Sequence, residues 1–267
     1  GASTNVTRAG TYSNGATYFF TVKAENNAGL VGSATNSDGQ LIDTTPPADV
    51  ASVADGTGAD AAYTDSNAQL SANWAASSDA QSGVLRYWYS IGTSAGASNT
   101  VTWTSNGAST SVTRAGLGLS NGQTYYFTIK AENTAGLFSN PVSSNGILVD
   151  VSAPDVVFVT DGTTSSDIDY TSSGTQLSAN WSDSADTQSG VLKYWYSIGT
   201  SSGASDTVTW TDNSAATSVT HTGLTLTDGV TYYFSVAAEN NSHVLSAPVN
   251  SDGQMSDTTP PSDIASV

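Results

Sequence analysis

The sequence predicts an all-β protein built from β-sandwiches in tandem, joined by short Pro-containing linkers. Short runs of alternating apolar and polar residues stand between Gly, Asn and Asp turns, and long helical apolar periods are missing. Thr, Val and aromatic residues, which favour strands, are frequent. A long pattern of the sequence also returns after 107 residues, and such internal repetition indicates an array of similar domains.

The tryptophans make the repeat visible. Three of them recur 107 residues later, in the pairs Trp74 and Trp181, Trp88 and Trp195, and Trp103 and Trp210. The eight residues YWYSIGTS at 87–94 stand again at 194–201. The copies are separated by the Pro-rich segments DTTPP at 43–47, DVSAP at 150–154 and DTTPP at 257–261. Proline cannot donate to a β-ladder, so these segments mark domain joints.

The chain therefore divides into four predicted segments. Residues 1–47 are the C-terminal part of a first copy, 48–154 and 155–261 are complete second and third copies, and 262–267 begin the next copy. Within the second copy, strands are expected near 50–54, 68–75, 84–92, 100–104, 110–114, 124–132 and 146–150. Seven short strands in about a hundred residues predict a Greek-key sandwich.

Composition and charge exclude several classes of function. With 23 acidic and 6 basic residues the 267-residue chain has a formal net charge of −17, which repels phosphate backbones, so no nucleic-acid partner is expected. The chain contains no cysteine, so its stability must come from a packed core or from metal ions. No apolar run approaches the ~20 residues that span a bilayer, and no membrane insertion of this segment is expected.

One stretch of the repeat resembles a known family. In LSNGQTYYFTIKAEN, Leu119 precedes Tyr125 by six positions and apolar residues then alternate. This pattern resembles the tyrosine corner and strand F of fibronectin type III domains. Tyr232 and Tyr18 stand at the matching places, with Tyr12 instead of the leucine in the first copy.

The resemblance implies a fold and a setting for the chain. Trp74 and Trp181 resemble the buried tryptophan of strand B, and the hydroxyl of the corner tyrosine is expected to bond to the backbone of the preceding turn. The wider pattern, from SGVLRYWYSIGTS to DTTPP, is similar to repeats of very long bacterial surface proteins and adhesins. The resemblance therefore implies tandem immunoglobulin-like (fibronectin type III) β-sandwiches, located outside the cell or on its surface.

Alternation places one tryptophan of each copy on the outer face of its sheet. In the strand VLRYWYSIG and its repeat, the tyrosines and the isoleucine share one face, which leaves Trp88 and Trp195 on the other. Each ring is expected either to cover its own sheet and stack on a nearby basic residue, or to form an adhesive contact with a surface glycan or with another copy in a fibre. The candidate binding residues are Trp88, Trp195, Arg86 and Lys193. Trp103 and Trp210 share a strand face with valines and are expected to pack at the sheet edge, the alternative being that they serve as ligand platforms.

Carboxylates recur around each predicted joint. In an immunoglobulin-like sandwich the B–C loop, the F–G loop and the N-terminus share one pole, and the preceding copy delivers its last residues to the same place. Carboxylates gathered there repel one another unless a cation neutralises them, and hard oxygen ligands select Ca²⁺. The alternative is that these acids cap turns and keep the surface soluble. The candidate calcium ligands are Asp43, Asp49, Asp79 and Glu132 at the first joint, and Asp150, Asp155, Asp186 and Glu239 at the second.

No feature of the sequence points to catalysis. His221 and His243 do not recur between copies, and no phosphate-binding loop or Cys/His metal spacing is present. The sequence therefore predicts a non-enzymatic, structural and adhesive segment of a long extracellular repeat protein, such as a surface stalk, an adhesin or a fibre. Its expected partners are neighbouring repeats, further copies of itself and surface glycans. The alternative is a carbohydrate-binding or spacer module of a secreted polysaccharide-degrading enzyme.

Overall fold

The computed structural model describes residues 3–156, 158–164 and 166–264, which form two compact units of strands and turns. Unit one comprises Gly1–Ala61, Gln69–Leu117 and Thr124–Ile147, and unit two comprises Ala62–Ala68, Gly118–Gln123 and Leu148–Val267. Among the described residues there is no helix long and apolar enough to cross a membrane. The repeat boundaries at 47/48 and 154/155 stay a prediction from the sequence period.

The described strands follow the period of the sequence. In the first copy they are β1 Thr17–Tyr18, β2 Thr21–Val22, β3 Thr35–Asn36 and β4 Gln40–Leu41. In the second copy they are β5 Val53–Asp55, β6 Tyr63–Thr64, β7 Gln69–Trp74, β8 Val84–Gly92, β9 Val101–Ser105, β10 Ser111–Ala115, β11 Thr124–Asn133, β12 Val142–Ser143 and β13 Ile147–Val149. In the third copy they are β14 Val159–Asp161, β15 Tyr170–Thr171, β16 Gln176–Trp181, β17 Val191–Gly199, β18 Val208–Asp212, β19 Ser218–Thr222, β20 Thr231–Asn240, β21 Val249–Asn250 and β22 Gln254–Ser256. The second and third copies thus match strand for strand and in strand length.

The third copy lies within unit two and shows the architecture in full. One sheet has the strand order β14-β16-β19, and the other has the order β15-β22-β20-β17-β18, with β21 paired to β20. The pairs are antiparallel except for β15 with β22. The orders β10-β7-β5 and β12-β11-β8-β9 repeat this arrangement in unit one. The predicted fold class is confirmed: the chain is all-β and has the fold of tandem immunoglobulin-like (fibronectin type III-like) β-sandwiches.

Inward-facing residues of both sheets form the core of the third copy. The buried cluster consists of Val159, Leu177, Ala179, Trp181, Tyr194, Tyr196, Ile198, Val208, Tyr232, Phe234, Val236 and Ala238. Trp181 is only 4% exposed, and its counterpart Trp74 is 6% exposed. Each indole ring lies 5.8 Å from the ring of a buried tyrosine, Tyr194 or Tyr87. The prediction that both tryptophans belong to the core is confirmed.

The tyrosine corner forms as the sequence predicts. The backbone N–H of Thr227 donates to the hydroxyl oxygen of Tyr232 at 2.9 Å. In the first copy the backbone N–H of Ser13 donates to the hydroxyl oxygen of Tyr18 at 3.1 Å. Tyr125, the matching residue of the second copy, is buried. The tyrosine hydroxyl thereby fixes the turn that precedes its own strand.

Candidate functional site

A hydrogen-bonded cluster holds the start of the first Pro-containing segment. The Asp43 carboxylate accepts from the Asn133 amide at 2.9 Å and from the Ser82 hydroxyl at 2.6 Å. The Asp79 carboxylate accepts from the same amide at 3.1 Å and from three backbone N–H groups that follow it at 2.8–3.2 Å. Asn133, at the end of β11, is fully buried. We call Asp43, Asp79, Asn133 and Ser82 the first linker cluster.

Unit two contains the same cluster 107 residues later. The Asp150 carboxylate accepts from the Asn240 amide at 2.9 Å and from the Ser189 hydroxyl at 2.6 Å. The Asp186 carboxylate accepts from the same amide at 3.2 Å and from three backbone N–H groups at 2.8–3.1 Å. We call Asp150, Asp186, Asn240 and Ser189 the second linker cluster. The chain therefore repeats the attachment of its linkers together with its fold.

The asparagine at the centre of each cluster is held in one orientation. The backbone N–H of Leu137 donates to Oδ1 of Asn133 at 2.8 Å, and the equivalent bond to Asn240 has the same length. The NH₂ group must then face the two carboxylates. It also donates to a carbonyl oxygen of the linker, that of Thr45 at 3.1 Å or of Ser152 at 2.9 Å. A neutral donor thus bridges two carboxylates in each cluster.

Hydrogen bonds keep carboxylates of the clusters ionised. Burial raises the pKa of Asp79, but the Asn133 amide and the three backbone N–H groups more than offset this and lower the pKa below its ordinary value. Burial also raises the pKa of Asp150, and the bonds from Ser189 and Ser152 again outweigh it. Both carboxylates are therefore charged acceptors at neutral pH, which strengthens the bonds that they receive.

The structure brings together two of the four predicted calcium ligands at each joint and gives the others different partners. The pairs brought together are Asp43 with Asp79, and Asp150 with Asp186. Asp49 accepts from the backbone and amide of Asn140 at 2.8 and 3.2 Å, and Asp155 pairs with Ala185 through its backbone. The two glutamates lie on the outer sheet faces. Within the described ranges, the joint acids supply no group of three side chains at metal-ligand distance. Calcium at the joints stays a prediction.

Trp88 lies on the outer face of its sheet, as alternation predicts, and is tied to an ion pair. Its indole N–H donates to the Glu132 carboxylate at 2.6 Å. The Arg86 guanidinium donates to the same carboxylate at 2.7 Å and lies 5.4 Å from the centre of the indole ring. The bond from Arg86 is the main reason that the pKa of Glu132 is lowered. The ring thus covers its own sheet and stacks on arginine, and an adhesive contact of the same ring stays a prediction.

Trp195 of the third copy has a similar environment with more acidic groups. Its indole N–H donates to Glu239 at 2.7 Å, and the Lys193 ammonium lies 4.4 Å from its ring. That ammonium also binds Asp212 at 2.9 Å and stands 3.7 Å from Glu239. The imidazole of His243 lies 2.6 Å from the second oxygen of Glu239. The candidate binding residues of both copies therefore belong to networks of hydrogen bonds and ion pairs around Glu132 and Glu239.

Trp103 does not lie on the face that simple alternation predicts. Tyr89 and Ile91, two residues apart in β8, pair with residues three apart in β9. This bulge reverses the face along β9, so Val101 points into the core while Trp103 joins the outer face. The same shift in β18 leaves Trp210 outside with 40% of its surface exposed. The expectation that these rings share a face with the valines was wrong, because alternation alone cannot reveal a bulge.

Lys130 covers the outer aromatic rings of the second copy. It lies directly opposite Trp88 in the ladder between β11 and β8. Its ammonium group stands 4.4 Å from the centre of the Trp103 ring and 4.3 Å from the centre of the Phe138 ring. Aromatic faces attract cations, so the Lys130 ammonium is stabilised by the two rings, and its side chain covers them from solvent.

Two buried carboxylates were missed by the sequence analysis. Asp55 and Asp161, at the ends of β5 and β14, are fully buried, and one oxygen of each has no hydrogen-bond partner. Burial raises the pKa of Asp55 to about 6 and that of Asp161 to about 7. The other oxygen accepts a backbone N–H, from Gly146 at 3.1 Å or Gly253 at 3.0 Å. In VADG and VTDG the aspartate precedes glycine, which suggests an exposed turn. The aspartate also stands two residues after an inward-facing valine, and residues two apart in a strand share a face, so this spacing could have predicted its burial.

The surroundings of these two carboxylates differ between copies. In the second copy the amide of Asn145 donates to Asp60 at 2.8 Å. In the third copy Asp252 replaces the asparagine, and it forms a group with Asp167 and Asp161 whose oxygens lie within 4.8 Å of one another. Burial and the charge of Asp167 raise the pKa of Asp252. The third copy therefore has repulsion where the second has a hydrogen bond.

Solved structures resemble the chain in fold at low sequence identity. Domains A168 to A170 of titin share 17% identity, with 90% of this chain and 75% of that chain covered and a TM-score of 0.49. The FN1–FN3 domains of chicken CNTN1 share 14% identity, with 87% and 76% covered and a TM-score of 0.43. No protein-family model and no curated protein matches the sequence. The fold class rests on the strand order and register of the chain itself.

Proposed function

We propose that this chain is a structural segment of a long extracellular repeat protein of bacteria. Its sandwiches form part of a stalk at the cell surface, and their outer sheet faces serve for adhesion. The observation that carries the proposal is the equivalence of the two linker clusters, which use the same residue types, the same atoms and nearly the same distances. The sequence resemblance to bacterial surface repeats supports the extracellular setting.

Two linkers bound in the same way suit a chain whose domains act in series. A flexible polar linker leaves neighbouring domains free to move independently. Here the carboxylate at the start of each linker, Asp43 or Asp150, accepts four hydrogen bonds from side chains and backbone. Bonds to an ionised acceptor are roughly twice as strong as neutral ones. Such an attachment transmits tension from the linker into the strand that ends at Asn133 or Asn240.

Single-molecule stretching tests the structural role. If the complete copies act in series, each unfolds separately and releases up to about 38 nm of chain, because an extended residue spans at most about 3.6 Å and the period is 107 residues. A single cooperative event for the whole chain would contradict the proposal.

A matched pair of variants tests the linker itself. Asp150→Ala removes the acceptor that binds Asn240, whereas Asp183→Ala changes the same charge at an exposed position. We expect faster hydrogen exchange at the Val244 N–H, which is bonded to the Asn240 side chain, only in Asp150→Ala. Equal exchange in the two variants would show that the cluster does not hold the linker.

The adhesive part needs a separate measurement. Beads coated with the chain should bind bacterial cells or one another, and the variants that alter the outer sheet faces should reduce this binding. Hydrolysis of a polysaccharide by the protein in which this segment occurs would instead favour the enzyme-spacer alternative.

A further inference from the structure

The third copy has alanine where the other two copies have lysine. Lys23 and Lys130 occupy this position in the first and second copies, and Ala237 occupies it in the third. Ala237 lies directly opposite Trp195 in the ladder between β20 and β17, as Lys130 lies opposite Trp88. The backbone position is thus equivalent, and only the side chain that covers the aromatic rings is lost.

This loss leaves a pocket on the outer face of the third copy. The pocket has a volume of about 430 Å³ and is lined by Trp195, Trp210, Ala237, Leu245, Ser246 and Pro248. Trp210 is exposed, whereas its counterpart Trp103, under Lys130, is half-buried. The pocket therefore occupies the place that a lysine side chain fills in the second copy.

The charge of this face also changes sign between the two copies. The second copy has two cations, one anion and a neutral residue, at Arg86, Lys130, Glu132 and Ser105 respectively. The equivalent residues of the third copy are one cation, a neutral residue and two anions, at Lys193, Ala237, Glu239 and Asp212. With His243, which lies against Glu239, counted as neutral, the local charge goes from +1 to −1. The face that lost its lysine thus has two anions, Asp212 and Glu239, that share the single cation Lys193.

We propose that the pocket around Ala237 binds the alkylammonium side chain of a lysine on another protein. The Trp210 ring offers the negative face of its π-system to the ammonium group, as Trp103 does to Lys130. Leu245 and Pro248 cover the methylene stem, which is the apolar part of a lysine side chain. This proposal specifies the class of ligand that the adhesive sheet face binds. It rests on the proposed function only in one respect, namely that the lysine comes from another protein that the chain adheres to.

Other occupants of an aromatic pocket differ from lysine in measurable ways. A sugar ring stacks on tryptophan without a positive charge, and its binding does not depend on salt. An aliphatic side chain fills the apolar volume of the pocket, but it has no charge that Asp212 and Glu239 could attract. An ammonium ligand is screened by salt, because part of its attraction is to charges near the surface.

Nuclear magnetic resonance titration of the whole chain tests the proposal with a defined probe. The ligand is Nα-acetyl-lysine N-methylamide, and the control is the norleucine analogue, which has an apolar stem without the ammonium group. We expect lysine to bind with a dissociation constant on the order of 1 mM, as suits a small ligand with few contacts, and to shift the indole N–H signal of Trp210. The norleucine analogue should bind about 5- to 30-fold more weakly.

Two reciprocal variants locate the site. Ala237→Lys recreates the arrangement of the second copy, and it should weaken lysine binding by at least about tenfold at an unchanged melting temperature. Lys130→Ala opens the matching pocket of the second copy and should add a second site. That site should be weaker, because Ser105 stands where the third copy has Asp212. If Ala237→Lys fails to fold, Trp210→Leu, at an exposed position, tests the same pocket.

Three results would overturn the proposal. Unchanged lysine binding in Ala237→Lys, or in Trp210→Leu if that variant is used, would place the site elsewhere. Equal affinity for lysine and the norleucine analogue would show an apolar pocket without cation preference. Shifts of the same signals by methyl β-glucoside, with none by lysine, would assign the pocket to a sugar. The stretching and hydrogen-exchange experiments do not involve Ala237. A negative result for the lysine pocket therefore leaves the proposed structural role of the chain intact, and the two proposals can fail separately.

Discussion

Replacing Asp161 by asparagine is expected to stabilise the third copy at pH 8 and to change its stability little at pH 4. The carboxylate is fully buried and one of its oxygens has no hydrogen-bond partner, so its charged form has lost water without full compensation. Asparagine has nearly the same shape and no charge. Its side-chain oxygen can still accept the N–H of Gly253, which lies 3.0 Å from the carboxylate in the structure.

The magnitude follows from the ionisation of this carboxyl. Its pKa is about 7 in the folded chain, compared with an ordinary value of 3.8. At 1.36 kcal/mol for each pH unit of this difference, ionisation destabilises the folded state by about 4 kcal/mol above pH 7. Burial is the main cause, and the charges of Asp167 and Asp252 add to it, while bonds from Ser251 and Gly253 oppose it.

The sign of the pH dependence is fixed by which state holds the proton. Between pH 3.8 and about 7 the folded state keeps a proton on Asp161 that the unfolded state has released. The contribution of this group to stability is therefore complete below pH 3.8 and is lost as the pH rises to about 7. The carboxylates with lowered pKa, such as Asp79 and Asp150, titrate below this window and do not mask it.

Urea unfolding followed by tryptophan fluorescence between pH 4 and pH 8 measures the effect. The wild-type chain should lose stability across this range, and Asp161→Asn should lose about 4 kcal/mol less. Asp55→Asn is the matched variant of the second copy. Its gain should be smaller, about 3 kcal/mol, because the pKa of Asp55 is about 6. Asp183→Asn, at an exposed position, should give no gain.

Two results would refute the reasoning. If Asp161→Asn is less stable than the wild type at pH 8, the ionised carboxylate stabilises the fold, and a bound cation or an ordered water must supply the missing partner. A gain that is equal at pH 4 and pH 8 would mean that the substitution acts through packing and not through charge.

Three further predictions concern the core, the outer face and the joints. Trp181→Ala should destabilise the chain by about 3–5 kcal/mol in urea unfolding, and Trp210→Leu much less; equal losses would contradict the core assignment. Glu132→Gln should cost about 1–3 kcal/mol, because Arg86 and the indole of Trp88 lose their charged partner, and an unchanged midpoint would show that solvent replaces it. If calcium binds at the joints, the melting temperature should be higher with added calcium than with a chelator. Identical melting curves would show that the hydrogen bonds of the linker clusters hold the joints without calcium.

The sequence was sufficient for the fold and for the outward tryptophan because both depend on alternation. Alternation within β8 was enough to place Trp88 on the outer face, whereas the burial of Trp74 was predicted from the resemblance to fibronectin type III domains. The face of Trp103 could not be predicted from alternation, since one extra residue in β9 reverses its direction, and nothing local in TVTWT distinguishes a bulge from a regular strand.

The linker clusters show a different limit of sequence analysis. The recurring acids drew attention to charge and hence to calcium, but the group that joins them is the neutral amide of Asn133 or Asn240. The asparagine recurs in AEN in every copy, so the signal was present. What the sequence could not supply is the direction of the amide, which is set by a backbone N–H four residues later.

The equivalence of the linker clusters has a consequence for how the gene can vary. The second and third copies each carry the receptor, an asparagine with an aspartate, and the first and second copies each end in the aspartate that such a receptor accepts. Unequal recombination between repeats can therefore delete or duplicate a whole period without creating a mismatched junction. A period that is deleted or duplicated in this way leaves each junction with an aspartate and the receptor that accepts it.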